Sequence, residues 1–197
     1  MGLDHIREKY GENCEYGAPW GGTWTPLGTH EFLVNCESFE EYVLVEVIKD
    51  GDGYIFRDNY FAIKYQQETE NFFLDSARQI FGSANVYYRV TRFGDEANLP
   101  ANTTFNDFLA RTNPNFITVR FELKSSDFTN ENQVNKLTSL ICDSIKVANL
   151  RMQIVVVEDD LFDTLDNDAL DTIVVRREHV RFANISRLDG SIDIVWR

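Results

Sequence analysis

The chain has 197 residues, 43% of them hydrophobic and 26% charged, with 32 Asp and Glu against 19 Lys and Arg for a net charge of −13. That length and apolar content support a real core and exclude a disordered chain, and no apolar run approaches the roughly 18 residues that span a bilayer. The anionic balance excludes non-specific nucleic-acid binding and docking on anionic membranes, since both need a basic face.

Leu3, Ile6 and Tyr10 recur at helical spacing and predict a short first helix, capped by Gly11. The stretch from Tyr16 to Pro26 reads as an irregular loop or a pair of short edge strands. Tyr42 to Ile48 and Tyr54 to Tyr65, around Lys49-Asp50-Gly51-Asp52-Gly53, predict a hairpin. Gln66 to Phe81 follows as a helix with Phe73, Ala77, Ile80 and Phe81 on one face, and Asn85 to Phe93 as a strand.

Beyond the loop-like Gly94 to Asn102, Thr104 and Asp107 match a capping box that opens a helix through about Arg111. Phe116 to Leu123 alternates cleanly, with Ile117, Val119, Phe121 and Leu123 on one face of a strand. Val134, Leu137, Ile141, Ile145 and Ala148 form the apolar stripe of the strongest helix, 130–148. Met152 to Val157 reads as a central strand and Ile173 to Arg176 as another. The end reads as a hairpin, Val180 to Arg187 with Ser191 to Trp196.

The expected fold is α+β in one domain over 1–197, with Gly94 to Thr103 the only candidate subdomain boundary. A mainly antiparallel sheet, or two sheets sharing a core, carries the helices 66–81 and 130–148 on its apolar face. Two strand–helix–strand units are expected, at 54–93 and 116–157.

No Gly-x-Ser-x-Gly, His-Glu-x-x-His, P-loop or Rossmann pattern occurs, so no catalytic residue, metal site or cofactor is assigned. Asp50-Gly51-Asp52-Gly53 fails as a calcium loop because its fifth and sixth positions are Tyr54 and Ile55, and it reads as a solvated turn. Cys14, Cys36 and Cys142 lack CxxC spacing. Cys14 and Cys36 pair if the segment between them folds back, but three small buried thiols in a reducing compartment is the favoured reading. A thiol–imidazole pair of Cys36 with His30 rests on proximity alone.

Trp20 and Trp24 are the candidate ligand-binding residues, as an aromatic platform for a sugar or peptide; the competing reading is a plug on a small core. Asp159, Asp160, Asp163, Asp166 and Asp168 lie in a run of seven acids without a base and are the candidate surface for a basic protein partner. Against that, Arg176, Arg177, Arg181 and Arg187 follow closely and could neutralise the run.

Glu8-Lys9-Tyr10-Gly11-Glu12-Asn13 with Tyr16, and Asp58-Asn59-Tyr60-Phe61-Ala62 beyond the hairpin, carry a resemblance over roughly the first 95 residues. The chain there resembles a loose group of uncharacterised acidic α+β proteins of Gram-positive gut bacteria. The resemblance implies a helix before a sheet, and a strand carrying Asp-Asn-Tyr before a helix. It implies no activity; some members are membrane-attached at the N-terminus.

The expected function is a non-enzymatic binding or interaction protein, of immunity or inhibitor type, whose acidic face meets its partner. The alternative is a small carboxylate-dependent hydrolase with a cleft near Trp20 and Trp24. No secretory leader is visible and a cytoplasmic location is favoured, with an upstream anchor left open. The sequence sets no oligomeric state.

Overall fold

A computed structural model describes residues 1–17, 23–24, 29–90, 98–111, 117–145, 150–164, 180–188 and 191–196. The fold is α+β, with two β-sheets. The chain divides into two compact units, the first made of residues 1–66 and 92–112 and the second of 67–91 and 113–197.

The first unit opens with α1 (Gly2–Tyr10), ended by Gly11 at φ 72° with its N–H on the Arg7 carbonyl, the left-handed cap expected there. Its sheet holds β1 (Cys14–Tyr16), β2 (Thr23–Trp24), β3 (Thr29–Cys36), β4 (Val43–Asp50) and β5 (Gly53–Asp58). The order is β1-β3-β4-β5, with β2 also on β3, and every pairing is antiparallel. β4 and β5 form the expected hairpin, with Asp50 opposite Gly53.

One face of this sheet supplies Phe32, Val34, Val43, Val45 and Val47 to the core, where Ile6 of α1 meets them. α1 approaches so closely that a Cβ on Gly2 would stand 2.9 Å from Cδ2 of buried Phe32. Gly2→Ala is therefore expected to cost about 1 kcal/mol through overpacking, read as a lower urea midpoint at unchanged slope.

The strand expected to run on to Tyr65 stops at Asp58, and α2 (Tyr60–Lys64) begins instead. The Asp58 carboxylate accepts the Tyr60 N–H at 3.2 Å, and Asn59 Oδ1 accepts the Leu44 N–H at 2.7 Å. Asp58 thus takes up the first backbone donor of the helix, while Asn59, its N-cap, makes no side-chain cap and ties the junction to β4 instead. The unit is completed by α4 (Phe105–Arg111), after the intervening α3 (Gln66–Phe81) and β6 (Ala84–Val90). The α4 cap is the expected one: the Asp107 N–H donates to Thr104 Oγ1, which donates in turn to the Asp107 carboxylate. Phe108 and Leu109 are buried, and the Tyr65 hydroxyl donates to the Thr103 carbonyl.

The second unit has a sheet in the order β10-β9-β8-β7-β6. Its further strands are β7 (Ile117–Lys124), β8 (Leu150–Val157), β9 (Val180–Leu188) and β10 (Ser191–Trp196). β7 and β8 are parallel, because α5 (Glu131–Ile145) carries the chain back between them; the other pairings are antiparallel. The two strand–helix–strand passages therefore differ. β7 and β8 lie side by side, whereas β5 and β6 belong to different sheets.

The apolar stripes land as the periodicity requires. Phe73, Ala77 and Phe81 of α3 and Val134, Leu137 and Ile141 of α5 are buried, and Phe73 meets Phe121 of β7 edge to face. Cys142 is a buried free thiol. A short α6 (Asp159–Phe162), not foreseen from the sequence, follows β8. The strand expected at 173–176 lies outside the described residues.

Candidate functional site

The densest meeting of ionisable groups in the first unit lies where α1 crosses the end of β5. His5 and Lys9, one turn apart, and Tyr10 share the helix flank beside Ile6. All three reach the Asp58 carboxylate: His5 Nε2 at 2.8 Å and Lys9 Nζ at 3.0 Å on one oxygen, the Tyr10 hydroxyl at 2.7 Å on the other. With the Tyr60 N–H, four donors surround a side chain that has no exposed surface.

Burial alone would raise the pKa of Asp58, but the His5 bond, the Lys9 charge and the bonds from Tyr10 and Lys9 outweigh it. The carboxyl is held below its usual range. Burial and the Asp58 charge push the Tyr10 phenol up. Rings brace the arrangement: His5 stacks on Phe56, and Tyr10 on Tyr60 with centroids 3.7 Å apart. The Tyr60 hydroxyl donates to Glu12. The two segments that carry the sequence resemblance, 8–13 and 58–62, meet here.

A His–Asp contact invites a catalytic reading, yet both carboxylate oxygens are already engaged and sealed. The cluster fastens a helix to a sheet.

Cys14 and Cys36 form a disulfide across neighbouring strands, their Cα atoms 4.1 Å apart in direct register. This corrects the favoured reading of three reduced thiols, and it removes the His30–Cys36 thiol–imidazole pair. The alternative, that the segment between Cys14 and Cys36 folds back to pair them, is the one observed; β3, which brings Cys36 opposite Cys14, is not legible as a strand in the sequence. An open depression of about 440 Å³ beside the disulfide is lined by Arg7, Asn13 and Glu37 among others. Those groups bond one another's surroundings, Arg7 to the Cys14 carbonyl and Asn13 to Glu37.

The same sheet has a second face, turned away from α1. In its centre Glu46 of β4 stands opposite Arg57 of β5, with Nη1 to Oε2 at 3.3 Å. On one side Leu33 faces Leu44, and on the other Ile48 faces Ile55. Leu33 is 41% exposed and Ile55 45% exposed, while Leu44 and Ile48 are half-buried. Four branched apolar side chains thus flank one ion pair on an open sheet surface. The sequence reading missed this face because it took 54–65 as a continuous strand without assigning its sides.

In the second unit a polar row runs across β6, β7, β8 and β9 on the face opposite the one where Phe73 of α3 meets Phe121. Arg120 lies over the Tyr87 ring and donates to Gln153, whose amide donates to Asn184. Gln153 and Asn184 occupy strand positions opposite each other, as do Tyr87 and Arg120.

Of the residues singled out from the sequence, Trp24 sits in β2 with its backbone paired to His30, and Trp20 lies outside the described residues. Asp159 accepts bonds from the Ser125 hydroxyl and the Ser126 N–H, which lower its pKa, and Asp163 pairs with Lys124 at 3.2 Å. Asp160 is exposed on α6, and Asp166 and Asp168 lie outside the described residues. Among the described residues no group of three or more His, Cys, Asp or Glu is placed to hold a metal ion. No described helix is long and apolar enough to cross a membrane.

No protein-family model and no curated protein matches the chain. Among solved structures, it is similar to a DUF5037 family protein from Ruminococcus gnavus ATCC 29149. The identity is 10%, over 96% of this chain and 92% of that one, with a TM-score of 0.49.

Proposed function

We infer that the protein is a non-catalytic interaction protein working in an oxidising compartment, and that its interaction surface is the outward face of β3, β4 and β5. The exposure of Leu33 and Ile55 side by side with Leu44, Ile48 and the Glu46–Arg57 pair carries this reading. The unit buries its core on the opposite face, and Leu33 and Ile55 stay exposed on this one. Two exposed apolar pairs on either side of an ion pair give a partner both apolar area to cover and charges to match.

The disulfide supports the compartment, since such bonds persist where thiols are not kept reduced. The acidic run supports the reading less than its charge suggested. Asp159 and Asp163 are spent on their own loop and strand.

A photocrosslinking residue in place of Ile55, in the cells that make the protein, is expected to trap one discrete adduct. The same residue in place of exposed Asp75, on α3, is expected to trap none. No adduct from position 55 would remove the reading.

A further inference from the structure

We propose that this face seats a second copy of the chain, with β4 and β5 of one copy stacked on β5 and β4 of the other. The proposal rests on the reading of the face as the interaction surface. It comes from how the side chains are ordered across the two strands.

Glu46 and Ile48 on β4 are registered opposite Arg57 and Ile55 on β5. A two-fold axis running between these strands and parallel to them lays each β4 position over the β5 position of the other copy. Glu46 then meets the partner's Arg57, and Ile48 meets the partner's Ile55. Symmetry repeats both contacts, so four charges alternate around a square beside a cluster of four isoleucines. Such isologous self-complementarity is what a closed two-fold contact requires. Aligned sheets stacked about 10 Å apart are an ordinary way to bury such faces.

Charge also selects the occupant. A copy of this chain brings a net charge of −13 towards another −13. Self-contact is therefore tolerated only where the surface is locally neutral, as the Glu46–Arg57 pair makes it. Within the β4–β5 overlap the pair leaves no net charge for a basic partner to find, and Glu31, exposed opposite Glu46 on β3, lies outside that overlap. Leu44 lies on the far side of the ion pair from the isoleucines, at the end of the overlap, and Leu33 on β3 lies outside it. Two strands from each copy make a small contact, roughly 10 by 20 Å, so the dimer is expected to be weak and concentration-dependent.

Sedimentation equilibrium over a concentration series tests this on the oxidised full chain, with circular dichroism confirming that each variant is folded. The wild type should show a monomer–dimer equilibrium. Arg57→Glu should weaken it by about tenfold or more, by setting like charges face to face. The exchange Glu46→Arg with Arg57→Glu should restore it, because the alternating square is rebuilt with its signs reversed. Ile55→Lys, at an exposed position, should abolish it without loss of fold.

A wild type that stays monomeric at the highest concentration, or a charge exchange that fails to restore association, overturns the proposal. The crosslink from position 55 separates the two readings. An adduct of twice the chain mass supports the second copy. An adduct of any other mass overturns the second copy and leaves the interaction face standing, and no adduct overturns both.

Discussion

Asp58→Asn is expected to destabilise the protein by about 3–5 kcal/mol, the usual cost of removing one member of a buried charge pair. The amide keeps the shape of the carboxylate but leaves the Lys9 ammonium without its counter-charge. It also turns an amide donor towards a site already crowded with the donors of His5, Lys9 and Tyr10. Urea unfolding at neutral pH measures the loss. The pH dependence gives a second signature. Asp58 ionises more readily folded than unfolded, so its contribution is complete above the ordinary carboxylate pKa of about 3.9 and fades as the pH falls through its own lower value. The exposed Asp4, Asp107 and Asp159, also held low by hydrogen bonds, act in the same direction in both proteins. The gap between wild type and variant should therefore narrow only in acid. A gap unchanged from neutral pH down to pH of about 2 would show that the carboxylate charge is not what holds α1.

Replacing Cys14 and Cys36 together by serine is expected to cost about 3 kcal/mol, because the bond closes a loop with a sequence separation of 22 residues. Reductant should destabilise the wild type by a similar amount and leave the serine variant unchanged. A thiol assay adds an independent count. The oxidised protein should show no reactive thiol when folded and one when unfolded, since Cys142 is the third cysteine and is buried. Three reactive thiols in the unfolded, unreduced protein would mean that the disulfide does not form. Loss of this bond should also free β1, which sits at the end of its sheet and has only three residues to hold it.

Local periodicity made the second unit readable. The stripes Phe73, Ala77 and Phe81 and Val134, Leu137 and Ile141, and the alternation of Val119, Phe121 and Leu123, are set by neighbours a few residues apart, and they land on the buried side. The Thr104–Asp107 cap and the Gly11 cap are local in the same sense. The first unit hid more. In β3 the consecutive Phe32, Leu33 and Val34 conceal a two-residue alternation, because Leu33 is apolar yet faces out. In α2 the aromatic and branched residues Tyr60, Phe61 and Ile63 look like strand, and the Asp58 bond to the Tyr60 N–H is a local cue that periodicity does not carry. The Asp58 cluster joins residues 48 to 53 positions apart, a distance over which sequence alone carries no geometric signal. Its one visible trace was a carboxylate at the end of an apolar run. The outward face was hidden for a further reason: its meaning depends on which side of the sheet α1 covers.

The first unit is written in two pieces, and this bears on its biosynthesis. Phe108 and Leu109, both buried in it, are encoded after all of α3 and β6. A ribosome that has released residues 1–66 has delivered the sheet, α1 and Tyr65 but not the α4 rings, Phe105 and Phe108, that Tyr65 meets. The nascent unit must wait until α4 has cleared the exit tunnel. A fragment cut at residue 66 lacks residues 92–112 of its own unit and is expected to be less stable than one that joins 1–66 to 92–112.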